Sequence, residues 1–250
     1  LIGGTQESAV IARELADRQV PCWVTVTTPT AVALYPAADC LRLWVGHLTS
    51  ATMENHLAQQ QIVAIVDASH PFATEISRLA IATARRHHLP YLRYERPSLA
   101  PAPGSILVQN YADLFRQSLL LHQRVLLTIG YRSLPLFQPW QQRATLFARI
   151  LPSPVALDTA LAAGFAAERL IALRPPLSLA LEKALWQQWQ ISVVVAKASG
   201  HAGGEVTKQQ LATTLGVQLV LLQRPQVAYP QVTDQLPQVL QFCRSVQDGR

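Results

Sequence analysis

The sequence predicts an α/β protein made of two parallel-sheet domains, and three observations carry that expectation. Half of the 250 residues are apolar and only 14% are charged, a balance suited to strands buried on both faces and unsuited to disorder. Short β-branched runs alternate with amphipathic stretches, the rhythm of βαβ units. That rhythm pauses once, at Ser98-Leu99-Ala100-Pro101-Ala102-Pro103-Gly104, where two prolines and a glycine mark a linker. Domains are therefore expected at 1–97 and 105–250, joined by a linker at about 98–104.

In the first half, Leu1-Ile2-Gly3-Gly4-Thr5 reads as the end of a strand whose earlier residues precede Leu1, and not as an export signal. Strands are expected at 24–27, 41–45, 62–67 and 90–94, with helices at 7–18, 51–60 and 73–87 between them. Thr5 suits the cap of the first helix, and Thr49 or Ser50 that of the second. Past the linker, strands are expected at 106–108, 125–129, 146–150, 170–173, 191–196 and 219–222. Helices fall at 112–121, 155–163, 179–189, 206–215 and 236–245, with Gly216 as a left-handed stop after the fourth.

A short internal repeat relates the halves. Ala68-Ser69-His70 is followed by a helix, a strand and Arg96-Pro97, and Ala198-Ser199-Gly200 by a helix, a strand and Arg224-Pro225. Two such units are Rossmann-like. Ligands of open α/β sheets bind beyond the carboxyl ends of the strands, so the expected site is a cleft onto which both sets of strand-end loops open.

The net charge is +6, from 21 basic and 15 acidic residues. Only Lys183, Lys197 and Lys208 of the basic set are lysine. The rest are arginine, whose planar fork matches carboxylate and phosphate oxygens two at a time. They are spread without a basic run or interleaved aromatics, which argues against nucleic acid and for a small anionic ligand. No apolar run approaches the ~18–20 residues of a membrane span. Cys22, Cys40 and Cys243 are odd in number and far apart in sequence, as expected in a reducing cytoplasm, and no Cys/His spacing offers a metal site. His87 and His88 point about 100° apart on a helix and read as a solvated helix end.

Four segments carry candidate chemistry. Gly3-Gly4-Thr5-Gln6-Glu7 joins a strand end to a helix start, where backbone amides and the helix dipole favour an anion. The same residues also suit a plain tight turn, with Thr5 as its cap and Glu7 in the first helical turn. Thr27 and Thr28 close the second strand, where dinucleotide folds place an acid for ribose or an Arg for an extra phosphate. Neither is present, and hydroxyls suit both forms. In Asp67-Ala68-Ser69-His70-Pro71-Phe72-Ala73, His70 is placed to donate a hydrogen bond or a proton. Alternatively Asp67 and Ser69 cap the following helix and His70 is an ordinary loop residue. Lys197 ends a buried strand and opens the Ala198–Gly204 segment, which resembles an anion cradle or, alternatively, a flexible surface loop with a solvated Lys.

These pieces, in this order, resemble the precorrin-6A reductases over nearly the whole chain. The resemblance rests on Gly3, Gly4, Thr5 and Glu7, on Asp67 through Ala73, on Arg93, Glu95, Arg96 and Pro97, on Lys197, Ser199 and Gly200, and on Arg224-Pro225. The His-Pro-Phe-Ala block with its downstream Arg-Pro is the specific part. Two departures stand out. Ala196 and Ala198 replace the Thr and Asp of the family's loop, and the second strand lacks the Arg of a firm NADP site. The resemblance implies hydride transfer from NADPH or NADH, with NADPH favoured, to a carboxylate-rich tetrapyrrole that is metal-free or cobalt-containing. It implies catalytic roles for His70 and Lys197, and a cofactor held by Gly3, Gly4, Thr5, Glu7, Thr27, Thr28 and Ser69. Substrate contacts fall to Phe72, Arg93, Arg96, Ser199, Gly200 and Arg224. A nucleotide- or S-adenosylmethionine-dependent transferase, or a nucleotide-sensing module, would use a similar sheet. A second Gly-rich loop at 197–204 favours the enzyme.

Overall fold

The computed structural model describes residues 1–248. Its elements run α1 (Gln6–Asp17), β1 (Cys22–Val26), β2 (Leu41–Val45), α2 (Ser50–Gln59), β3 (Ile65–Asp67), α3 (Thr74–Arg86) and β4 (Tyr91–Tyr94). There follow β5 (Ile106–Val108), α4 (Tyr111–Arg116), β6 (Arg124–Thr128), β7 (Thr145–Ile150), α5 (Pro154–Ala162), β8 (Leu170–Ala172) and α6 (Leu179–Gln188). The last are β9 (Val193–Lys197), α7 (Glu205–Leu215), β10 (Gln218–Leu222), β11 (Val232–Thr233) and α8 (Leu236–Asp248). They form two compact units, Leu1–Pro97 with Pro225–Arg250, and Ser98–Arg224.

In unit one, β1 pairs with β2, and β4 lies between β3 and β11, all parallel. Ile2 joins these pieces through parallel bridges to both Thr25 and Asp67. Its N–H donates to the Val66 carbonyl at 2.8 Å, and Gly3 N–H to that of Thr25 at 2.9 Å. Counting the Ile2 segment as the first strand, the order is 3-2-1-4-5-6, the doubly wound order of dinucleotide folds. Alternate residues feed opposite faces. Val66, Ala68 and Leu92 pack with Ile11 and Leu15 of α1 and Val239 of α8, while Ile2, Ile65 and Tyr91 pack with Met53 of α2 and Ile81 of α3.

The expected second domain at 105–250 is corrected at its carboxyl end, because β11 and α8 belong to unit one. Arg93 N–H donates to the Gln231 carbonyl at 2.9 Å and Glu95 N–H to that of Thr233 at 2.8 Å, completing the first sheet as its sixth strand. The expected linker packs on unit two, where Gln209 Nε2 donates to the Ala100 carbonyl at 3.2 Å and Gln218 Nε2 to that of Gly104 at 2.7 Å.

Unit two holds a parallel sheet in the order β5-β10-β9-β6-β7-β8. Read from β8 and numbered from β6, this is again 3-2-1-4-5 with β5 sixth, so here the sixth strand precedes the others in the chain. Leu126, Val194, Leu219 and Leu221 pack against Trp186 of α6 and Leu211 of α7. The caps at Thr5 and Thr49 and the left-handed Gly216 (φ 65°) are as expected. The helix expected at 112–121 stops at Arg116, and Ser118 turns left-handed (φ 52°). Tyr131–Trp140, where no element was expected, is a 3₁₀ helix containing Pro135 and Pro139, whose missing N–H groups disfavour α-helical bonding. Among the described residues no helix is long and apolar enough to cross a membrane.

Candidate functional site

A ligand of a 3-2-1-4-5-6 sheet sits where the strand order reverses, between the first and fourth strands. In unit one that point is flanked by Gly3-Gly4-Thr5 and Ala68-Ser69-His70. Gly4 has φ +97°, and a Cβ built there would meet nothing within 4 Å. The turn is braced from behind. Gly4 N–H donates to the Tyr35 hydroxyl at 2.7 Å, and that hydroxyl lies 2.6 Å from Ser8 Oγ. Thr5 Oγ1 donates to the Ala68 carbonyl at 2.9 Å and accepts from Ser8 N–H at 3.1 Å. Thr5 thus caps α1 and ties the two strand ends together, and its side chain is committed to that work. Thr27 and Thr28 are exposed at the end of β1.

The Asp67–Ala73 turn is set by a buried network. Asp67 and Arg93 have side chains 0% and 1% exposed and pair at 2.9 Å. Asp67 also accepts from Ser77 Oγ at 2.6 Å, Tyr91 OH at 2.8 Å and Ser69 N–H at 3.0 Å. Burial would raise the Asp67 carboxyl, but Arg93 and the bonds from Ser77 and Ser69 hold it below the ordinary value. Arg93 further donates to Ser69 Oγ at 3.0 Å and to Glu95 at 2.8 Å, and lies over the Tyr229 ring. Arg93, expected as a substrate contact, has its guanidinium engaged inside the fold by Asp67, Ser69 and Glu95. Ser69, expected as a cofactor ligand, accepts from Arg93 through its hydroxyl oxygen. Neither Asp67 nor Ser69 caps α3, whose cap is Ala73 without a side-chain bond.

His70 stays partly exposed, and its Nδ1 accepts from Phe72 N–H at 3.2 Å. That bond places the neutral ring's hydrogen on Nε2. The rings of His70 and Phe72 are 5.9 Å apart. Arg96 Nε pairs with Glu7 Oε1 at 2.9 Å, so both expected ligand residues are engaged with each other. Glu7 Oε2 is buried without a hydrogen-bond partner.

In unit two the reversal lies between β6 and β9, bounded by Gly130 and by Lys197-Ala198-Ser199-Gly200. Gly130 (φ +83°) stands where Gly4 stands in unit one, and the nearest atom to a Cβ there would be Lys197 Nζ at 3.9 Å. Burial first, and then the nearby charge of Arg132, lower the Lys197 ammonium below the ordinary lysine value. Ser199 is buried and Gly200 N–H donates to Glu205 at 2.7 Å. Arg224, expected as a substrate contact, donates from Nε to the Ala198 carbonyl at 2.9 Å and so also braces the loop. The described concave regions lined by Trp23 and His56, and by Cys22, Cys40 and Cys243, open at the amino ends of the unit-one strands, away from that unit's reversal point.

Comparison with known proteins fixes the chemistry. The family model described as precorrin-6x reductase CbiJ/CobK matches residues 1–244. The chain belongs to this family. A cobalt-precorrin-6A reductase of Synechocystis is 49% identical, with 98% of this chain and 95% of that protein covered. A precorrin-6A reductase of Rhodococcus erythropolis is 31% identical, with 90% and 88% covered. A solved structure described as CobK precorrin-6A reductase superposes with a TM-score of 0.79 at 24% identity, covering 98% of this chain and 95% of that one, and supports the fold. As a precorrin-6x reductase the chain is an oxidoreductase of cobalamin biosynthesis acting on a CH–CH group, which implies a nicotinamide cofactor.

Three residues escaped the sequence reading of this reductase. Tyr35 lies between two strands with no motif around it. Gly130 was legible only by aligning the second repeat on the first one strand earlier. Arg132 follows Gly130 in a segment whose prolines hid its 3₁₀ helix.

Proposed function

We propose that this chain reduces one carbon–carbon double bond of the precorrin-6A macrocycle, metal-free or cobalt-containing, with NADPH as the preferred donor, in the cytoplasm. The observation that carries the proposal is the open glycine turn of unit one at the reversal point of a 3-2-1-4-5-6 sheet, the place where such sheets take dinucleotides. The residues present suit that cofactor. Gly4 leaves room for a close backbone approach. Glu7 Oε2, buried and without a donor, suits a ligand hydroxyl or amide. Thr27 and Thr28, exposed at that strand end, admit NADPH because no carboxylate there repels an extra phosphate; the preference for NADPH rests on the family resemblance.

A bound reduced nicotinamide supplies the hydride. The chain's own groups orient the reactants and complete the proton balance. His70, held with its hydrogen on Nε2, is the better orienting donor. Lys197, whose ammonium gives up its proton more readily than an ordinary lysine, is the better proton source. Lys197 and Arg132 supply positive charge for the carboxylates of the tetrapyrrole, with Phe72 as an apolar contact and the Ser199-Gly200 backbone beside Lys197.

The test is a fluorescence titration with NADPH, NADH and S-adenosylmethionine, followed by anaerobic incubation with precorrin-6A and with its cobalt form. Tighter binding of NADPH and a macrocycle spectrum that changes only in its presence are expected. Binding of S-adenosylmethionine alone, or an unchanged spectrum with both macrocycles, would overturn the proposal.

A further inference from the structure

The Lys197–Gly204 loop is held by buried charges that the reaction does not use. Lys208 is 3% exposed and Glu205 2%, both on α7. Lys208 Nζ donates to the carbonyls of Gly203 at 3.0 Å and Gly204 at 3.1 Å. Glu205 Oε2 accepts Gly200 N–H at 2.7 Å, and its Oε1 accepts from Gln209 at 3.1 Å. Gly200 adopts φ 73°, ψ −167°, a region essentially reserved for glycine and kept only where surroundings enforce it. Gly203 is packed so closely that a Cβ would stand 1.7 Å from Ser199 Oγ. Behind Lys208, Arg149 of β7 pairs with Glu182 of α6 at 2.5 Å.

We propose that Lys208 and Glu205 are positioning residues, fixing the backbone of the Gly200–Gly204 segment so that Lys197 and Ser199 are presented in one geometry. This rests on the reading that the loop serves the macrocycle. The charge itself does not favour folding. Burial first, and then Arg149, push the Lys208 ammonium down to about 8, against the opposing pull of Glu182 and Glu205. A lysine with a folded-state pKa below its unfolded value of 10.5 binds fewer protons when folded, so its contribution to stability improves as pH rises from about 8. Near neutrality the buried ammonium therefore costs stability, and an apolar side chain would avoid that cost. Its hydrogen bonds go to loop carbonyls, which ties the charge to loop geometry.

The experiment has three arms, each with kcat and KM for precorrin-6A and a nicotinamide affinity. Lys197→Met tests the underlying reading, and a loss of at least ~10-fold in kcat/KM with nicotinamide affinity unchanged is expected. If Lys197→Met is silent, the loop does not serve the macrocycle and the inference falls with that reading. Lys208→Met is expected to keep or raise the melting temperature while lowering kcat ~10-fold, as a misplaced group does. In the wild type kcat should decline as pH rises through about 8. Glu205→Gln keeps an acceptor for Gly200 but removes a charge that helps Lys208 hold its proton, so this alkaline limb should move to lower pH. That shift decides the matter where Lys208→Met does not fold. Wild-type kcat and KM in folded Lys208→Met, or an unmoved limb in Glu205→Gln when Lys197→Met is impaired, would overturn the positioning role.

Discussion

The reversal points of the two units share a strand order and a left-handed glycine, yet the side chains around them follow opposite plans. In unit one the turn is braced by hydroxyls, from Thr5, Ser8 and Tyr35, and the Asp67–Arg93 charges are sunk beneath it. In unit two the glycine faces Lys197, with Arg132 close enough to weaken that lysine's hold on its proton. A dinucleotide is bound largely by backbone and helix start, so its site needs a bare, rigid turn. A ligand bearing many carboxylates needs fixed cations. Topology supplies the same location twice, and on the proposed function the residues beside each glycine suit different ligands.

The largest expected effect tests whether the unit-one charges are structural. Arg93→Met leaves Asp67 buried and unpaired, a change that typically costs roughly 3–5 kcal/mol, so the melting temperature should fall steeply. A wild-type melting curve with a raised macrocycle KM would make Arg93 a ligand residue and erase the contrast. The same network has a pH signature. The folded-state pKa of Asp67 lies below its ordinary 3.8, so the stability it contributes is fully present above that value and is lost as pH falls toward the folded one. Acid unfolding followed by circular dichroism should show this loss, and Asp67→Asn should flatten it.

A paired substitution sharpens the comparison. Gly4→Val puts a side chain at φ +97° into the space a cofactor backbone contact needs, and nicotinamide affinity should drop at least ~10-fold, about 1.4 kcal/mol. Gly130→Val should leave that affinity alone and raise the macrocycle KM. Equal effects of both variants on nicotinamide binding would mean that the units share the cofactor.

The fold was legible to the extent that burial follows periodicity. Strand runs such as 41–45 and 106–108 were read at their true limits, from short apolar and β-branched runs that include the exposed Val45 and Leu107. The return of β11 and α8 to unit one was not legible. A two-residue strand has no periodicity, and membership of a sheet is decided by partners such as Arg93 and Glu95 more than a hundred residues away. At the site, His70, Lys197 and the glycine turn were visible as polar or flexible residues at strand ends. Arg93, Arg96 and Arg224 were expected as ligand contacts from their charge, and their partners within the fold (Asp67, Glu7 and the Ala198 carbonyl) are far away in sequence, so only the structure reveals them.

The smallest expected effect isolates that bracing. Tyr35 reaches from the loop before β2 to accept Gly4 N–H at 2.7 Å, and its ring packs with Ala9, Val24 and Ala31. Tyr35→Phe keeps the ring and removes one buried hydroxyl, leaving Gly4 N–H and Ser8 Oγ each short of a partner. A hydrogen bond of this kind contributes about 0.5–1.5 kcal/mol, so nicotinamide affinity should weaken by roughly three- to tenfold. Because the bond lies wholly within unit one, the macrocycle KM at saturating nicotinamide should not change. Gly130 has no such phenol: the nearest atom to its Cβ position is the Lys197 ammonium. A bare turn is thus stiffened by a neutral group where the proposed ligand brings phosphate charge. Tyr35→Phe with unchanged nicotinamide affinity would show that Thr5 and Ser8 suffice to hold the turn. A raised macrocycle KM instead would tie Tyr35 to the macrocycle and undo the division of labour between the two glycines.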